Sequence, residues 1–154
     1  MTRSLQASLQ LPRPLSARVL RDCATWLETM GHEAGLPEHC LRRLDTCLHE
    51  ALANLLNHGV LPSGSHEAEV SATVTIHGEP DDSGRASLEL VDTFLPFEPT
   101  PQRIPEQRPA SHAAGLHPGG QGIKLMLHNA DKVTYTRADG HNRLTMLVQW
   151  TSPP

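Results

Sequence analysis

Glu50, Asn54 and His58 recur at every fourth position of a leucine-rich stretch, so on a helix they share one face. A carboxylate there can take the proton of an attacking hydroxyl. One turn on, an asparagine amide oxygen is a hard, neutral ligand suited to Mg²⁺, which keeps waters and substrate phosphates as its other ligands. The same spacing also suits a solvated helix face. Asp92 closes the apolar run Leu88-Glu89-Leu90-Val91 and opens a loop. Its carboxylate can accept from the exocyclic amine of adenine at the bottom of an apolar pocket, or simply cap the turn. Gly119, Gly120 and Gly122 open a helical stretch containing Ile123, Leu125 and Met126. Glycine lets backbone approach a phosphate, and a helix N-terminus favours the anion, although glycine clusters also make plain turns. The G-K-[ST] ending of a P-loop is missing, and no strand precedes the glycines as a dinucleotide fingerprint requires. Lys124 lies near this turn, where a cation would assist a phosphate; a lysine on a short helix is more commonly just solvated.

These residues need a scaffold. Leu5, Ala7, Leu9 and Leu11 alternate with polar residues, which predicts an opening strand ended by Pro12 and Pro14. Ser16 is placed to cap a helix running to about residue 33, loosened at its end by Gly31 and Gly35. A second helix follows Pro37 to about residue 57 on the stripe Leu41, Leu44, Leu48, Leu52 and Leu55, with Gly59 as its C-cap. Strands are expected over 68–77 and 85–91, joined by a polar hairpin, then a short helix over 120–129 and strands over 132–137 and 142–150. Between them, 96–118 holds six prolines and no periodicity, as functional lids do. The order predicts a single α+β domain, a two-layer sandwich with a mixed, mainly antiparallel sheet and its helices on one face.

Composition narrows the classes. The 154 residues carry a net charge of -4 with no basic run, which argues against nucleic acid as a direct partner. No apolar run approaches the about 20 residues of a membrane span, and no signal-peptide pattern opens the chain. Three cysteines without a C-x-x-C pair give neither a disulfide framework nor a zinc site, so the cytoplasm is expected. The ten histidines are dispersed, and the second histidine of H-E-x-x-H is replaced by Ala53.

Taken in order, these segments resemble the ATP-binding boxes of the GHKL (Bergerat) superfamily, and more finely the serine-protein kinases that act as anti-sigma factors in bacterial partner switching. Their E-A-x-x-N-x-x-x-H is similar to Glu50-Ala51, Asn54 and His58. Their D-x-G-x-P-F-x-P looks like Asp92, Pro96, Phe97 and Pro99, with Phe94 where the family has glycine. Their G-G-x-G-x-x-[LM] with D-x-V-x-Y resembles Gly119, Gly120, Gly122 and Met126, then Asp131, Val133 and Tyr135. The closing G-x-N-x-L looks like Gly140, Asn142 and Leu144.

The resemblance implies one ATP-binding kinase domain over 1–154 with 96–118 as the ATP lid. Glu50 would be catalytic, orienting or deprotonating a serine hydroxyl on a partner. Asn54 would bind Mg²⁺. The ATP set would comprise Asn54, His58, Asp92, Gly119, Gly120, Gly122, Lys124 and Thr145, the last adding a hydroxyl near adenine or serving as a plain strand residue. Implied partners are a STAS-domain anti-anti-sigma factor, which is phosphorylated, and a sigma factor, which is sequestered; a homodimer is compatible, and no membrane is involved. Phe94 opens an alternative. Its ring either narrows the adenine pocket, leaving a non-catalytic anti-sigma module with a degenerate site, or points away.

Overall fold

The computed structural model describes residues 3–79, 81–96 and 118–151. Among the described residues, five strands and three helices follow in the order β1 (Arg3–Gln10), α1 (Ala17–Ala34), α2 (Glu38–His58), β2 (Val70–Gly78), β3 (Gly84–Asp92), α3 (Pro118–Asn129), β4 (Lys132–Ala138) and β5 (His141–Trp150). Each helix starts and stops for a local reason. The Ser16 hydroxyl accepts from Val19 N–H at 3.3 Å and so satisfies one of the free donors of α1. At the other end Gly35 takes a left-handed φ of 73°, and Leu36 N–H returns to Gly31 O at 2.8 Å, seating buried Leu36 against the core. Gly31 does not loosen α1. It lies within the helix, where a Cβ would come 2.7 Å from Leu41 Cδ1, so its bareness lets α2 approach.

The strands pair in the order β1-β2-β3-β5-β4. Among the described residues every pair is antiparallel, where a mixed sheet was expected. The reason is the β4–β5 hairpin. Asp139 and Gly140 carry φ of 52° and 76°, the geometry that turns a chain tightly back with the right twist. The returning β5 inserts between β3 and β4, which would otherwise have met in parallel. Asp92 and Asn142 thereby become register partners at one end of the two central strands.

All three helices cover one sheet face. Alternate residues of β2, β3 and β5, among them Val74, Leu88 and Met146, meet the leucine stripe of α2 in a single core. The thiols of Cys23, Cys40 and Cys47 lie within that core, and burial pushes Cys23 up to about 11 and Cys47 to about 12. No described helix is long and apolar enough to cross a membrane.

Candidate active site

Asp92 ends β3 with 5% of its surface exposed. Its Oδ1 accepts from Phe94 N–H at 2.9 Å and from Asn142 Nδ2 at 2.8 Å. Burial holds its carboxyl above the ordinary carboxylate range, opposed by the Asn142 and Phe94 bonds and by the nearby Arg137 and His141. Asn142 itself is 3% exposed and fully engaged. Its Nδ2 also donates to Phe94 O at 2.9 Å, while Tyr135 Oη and Arg137 Nη1 donate to its Oδ1 at 2.6 and 2.7 Å.

The second part of the site is the seam between α2 and α3. Gly122 faces α2 so closely that a Cβ on it would lie 2.6 Å from Glu50 Oε2 and 3.5 Å from Asn54 Oδ1. Proline at the first position of α3 suits a helix start here. Arg43 fixes the far end of the seam. Its Nε donates to Asn129 O at 2.7 Å and its Nη2 meets Asp131 at 3.0 Å, while Asp131 Oδ2 accepts from Gln149 N–H at 2.6 Å. Asn54 is 8% exposed, and its Nδ2 is buried with no partner among the described residues. A buried amide left over in this way fits a bound group that supplies the missing acceptor. An asparagine oxygen beside a carboxylate also suits a hard cation such as Mg²⁺.

Asn54 and Asp92 line one cavity, closed by Ala51, Leu55, Leu90, Met126, Tyr135, Asn142 and Leu144. Its walls are apolar except at these few polar groups, the composition of a nucleobase site. The volume is ≈20 Å³, about the room of one water. Entry of a flat ring therefore requires the walls to part, and the unbranched Met126 side chain is the most adaptable of them. Phe94 does not narrow this cavity. Its ring lies against Gly59 at the end of α2, where a Cβ would come within 2.7 Å of Cδ1 and Cε1. Gly59 does end α2, but with an ordinary φ of -63°, so it is needed for space rather than for a left-handed turn.

The structure thus brings together Glu50, Asn54, Asp92 and Gly122 and opens α3 with Gly119 and Gly120. It does not bring His58, Lys124 or Thr145 to the cavity. His58 is exposed on the last turn of α2. Lys124 is exposed on the outer side of α3, since Gly122, Ile123 and Met126 turn inward. Thr145 is excluded by strand parity: Asn142, Leu144 and Met146 face the helices, so Thr145 faces the other way, paired with Glu89 and Thr134. Asn142, Tyr135 and Arg137 were missed as site residues; a lone polar side chain in the inward parity of an apolar strand was the available signal. Residues 97–117, with Phe97, Pro99 and the body of the expected lid, lie outside the described residues.

The model of the histidine kinase-like ATPase domain matches residues 14–148, from just before α1 into β5. The chain belongs to that family. The family is one of ATPase domains, which implies that the chain binds ATP. This domain is also similar to the serine/threonine-protein kinase BtrW of Bordetella bronchiseptica, with 28% identity over 132 residues, covering 86% of this chain and 87% of that protein.

Proposed function

We propose that this ATPase-type domain is a protein serine/threonine kinase that transfers the terminal phosphoryl group of ATP to a partner's hydroxyl. The convergence of Asp92 and Asn54 on one cavity, with Glu50 set against Gly122 beside it, carries this reading. Asp92 would accept from the adenine amine. Asn54 would hold Mg²⁺, which neutralises phosphate charge when bound. Glu50 is only half-buried and can meet a hydroxyl delivered from outside. Phosphoryl transfer asks for little beyond this positioning and charge neutralisation. The similarity to a serine/threonine-protein kinase supports the same chemistry. Exposed Leu56, Val60 and Leu95 offer apolar surface nearby, which suits a protein acceptor.

The acceptor we infer is the serine of a STAS-domain anti-anti-sigma factor, in the cytoplasm of a bacterium, with a sigma factor as the competing partner. Phosphate would add about −2 charge to the antagonist and expel it by repulsion and desolvation, freeing the kinase to hold the sigma factor. The Phe94 ring rests on Gly59 and does not line the cavity, which supports the catalytic reading over the non-catalytic alternative. Incubation of the purified chain with Mg-ATP and the folded cognate antagonist tests the proposal. Labelled phosphoserine is expected on the antagonist, together with release of that antagonist in exchange for the sigma factor. Tight Mg-ATP binding without any transfer would return the reading to a clamp alone.

A further inference from the structure

The bonds around Asn142 define more than a fold constraint. Its Oδ1 faces two donors, Tyr135 Oη at 2.6 Å and Arg137 Nη1 at 2.7 Å. Its Nδ2 faces three acceptors, Asp92 Oδ1 at 2.8 Å, Phe94 O at 2.9 Å and Leu95 O at 3.3 Å. The reversed amide would set oxygen against three acceptors and nitrogen against a guanidinium, so only one orientation is chemically consistent. Arg137 Nη1 also donates to Phe94 O at 3.1 Å, tying the same group to the residues that leave β3. Asp92 Oδ1 therefore always meets N–H donors. Among the described residues Oδ2 receives no hydrogen bond.

We propose that Arg137 is a specificity-determining residue: by locking Asn142 it keeps Asp92 an obligate hydrogen-bond acceptor, so the pocket takes a 6-amino purine and rejects a 6-oxo purine. A 6-oxo purine would place its carbonyl oxygen against the carboxylate. It becomes acceptable only if Asp92 carries a proton to donate. Among the described residues, the charged or titratable groups around Asp92 are Arg137 and Tyr135 on β4 and His141 on β5, and α2 lines the cavity with Ala51, Asn54 and Leu55. Arg137 is thus the permanent cation at this site, and its fork also fixes the amide. Arg137 sits on an edge strand, outside every motif the sequence carries for nucleotide binding, and is inferred to act through Asn142 as a positioning residue.

This inference rests on the nucleotide reading above. The test is calorimetric titration of Mg-ATP and Mg-ITP into the wild-type chain, Arg137→Met, Arg137→Lys and Tyr135→Phe, at neutral and mildly acidic pH. Wild type is expected to favour ATP by about 100-fold or more. Arg137→Met should narrow that ratio by about tenfold, mainly by gaining ITP, and should move the acid limit of ATP binding to higher pH. Arg137→Lys restores the charge but not the fork, so it should recover the pH limit and part of the ratio. Tyr135→Phe removes one of the two donors and should narrow the ratio less; it decides the matter if Arg137→Met fails to fold. An unchanged ATP:ITP ratio in a folded variant that binds ATP tightly overturns the inference alone. Failure of the wild-type chain to bind either nucleotide overturns this inference and the nucleotide reading together.

Discussion

Glu50 and Gly122 form one unit, because the carboxylate occupies the space a side chain on the glycine would need. Glu50→Gln keeps the volume and removes the base. Phosphoryl transfer should fall by at least about 100-fold with ATP affinity nearly unchanged, as single-turnover kinetics and calorimetry can show. Gly122→Ala should act in the same direction for a different reason. Its Cβ would press on Glu50 Oε2 at 2.6 Å, so kcat should drop by roughly tenfold or more while Mg-ATP still binds. A glycine serving only to admit phosphate would instead lose affinity on that substitution. The residue scale is also where sequence was least informative. Glu50, Asn54 and Asp92 were legible because a carboxylate or amide at helical spacing, or at a strand end, advertises itself. Thr145 was misplaced because a hydroxyl next to a motif looks useful until strand parity turns it outward. Asn142 is intelligible only through its partners, Asp92 far away in sequence on β3 and Tyr135 across the β4–β5 hairpin.

The elements themselves were largely legible. The helical stripe of α2 and the alternation of β1, β2 and β3 fix their type, and the structure moves their ends by one or two residues. What periodicity cannot carry is why a glycine stands at a given place. Gly31 and Gly59 look like helix breakers in sequence, yet one admits Leu41 and the other admits the Phe94 ring. Gly59→Ala should therefore destabilise the fold by about 1–3 kcal/mol through overpacking, because a Cβ would meet both the Phe94 ring and the backbone oxygen of Leu55. Adding Phe94→Leu to Gly59→Ala should return part of that loss. A thermal or urea double-mutant cycle measures the coupling, and strict additivity would show that the ring does not press on this site.

At the scale of the whole molecule, the antiparallel sheet was only half legible, since the hairpin turn could be read but not the insertion of β5 beside β3. That insertion buries Asp92 against Asn142 and sets a conflict between stability and binding. The folded carboxyl titrates above its ordinary value of 3.8, so the native state holds its proton more tightly than the unfolded chain does. This group's contribution to stability consequently falls as pH rises from the ordinary carboxylate range through its raised value. Adenine binding runs the other way and is lost as pH falls through that same window. Asp92→Asn should be more stable than wild type at neutral pH, and the gap should close on acidification. Thermal melts of the two proteins across that pH range measure it. The same variant should not bind ATP. A lower melting point at neutral pH would contradict the assignment of burial as the dominant influence on Asp92.

The three interior thiols give the protein a chemical clock. Sulfur reacts as thiolate, and each of Cys23, Cys40 and Cys47 is both shielded from reagent and disfavoured in its ionised form. Alkylation at mildly alkaline pH therefore waits for the core to open. Any molecule that grips only the native state slows that opening equilibrium in proportion to its occupancy. The rate at which these cysteines vanish can thus report nucleotide affinity on the unmodified chain, without a label and without turnover.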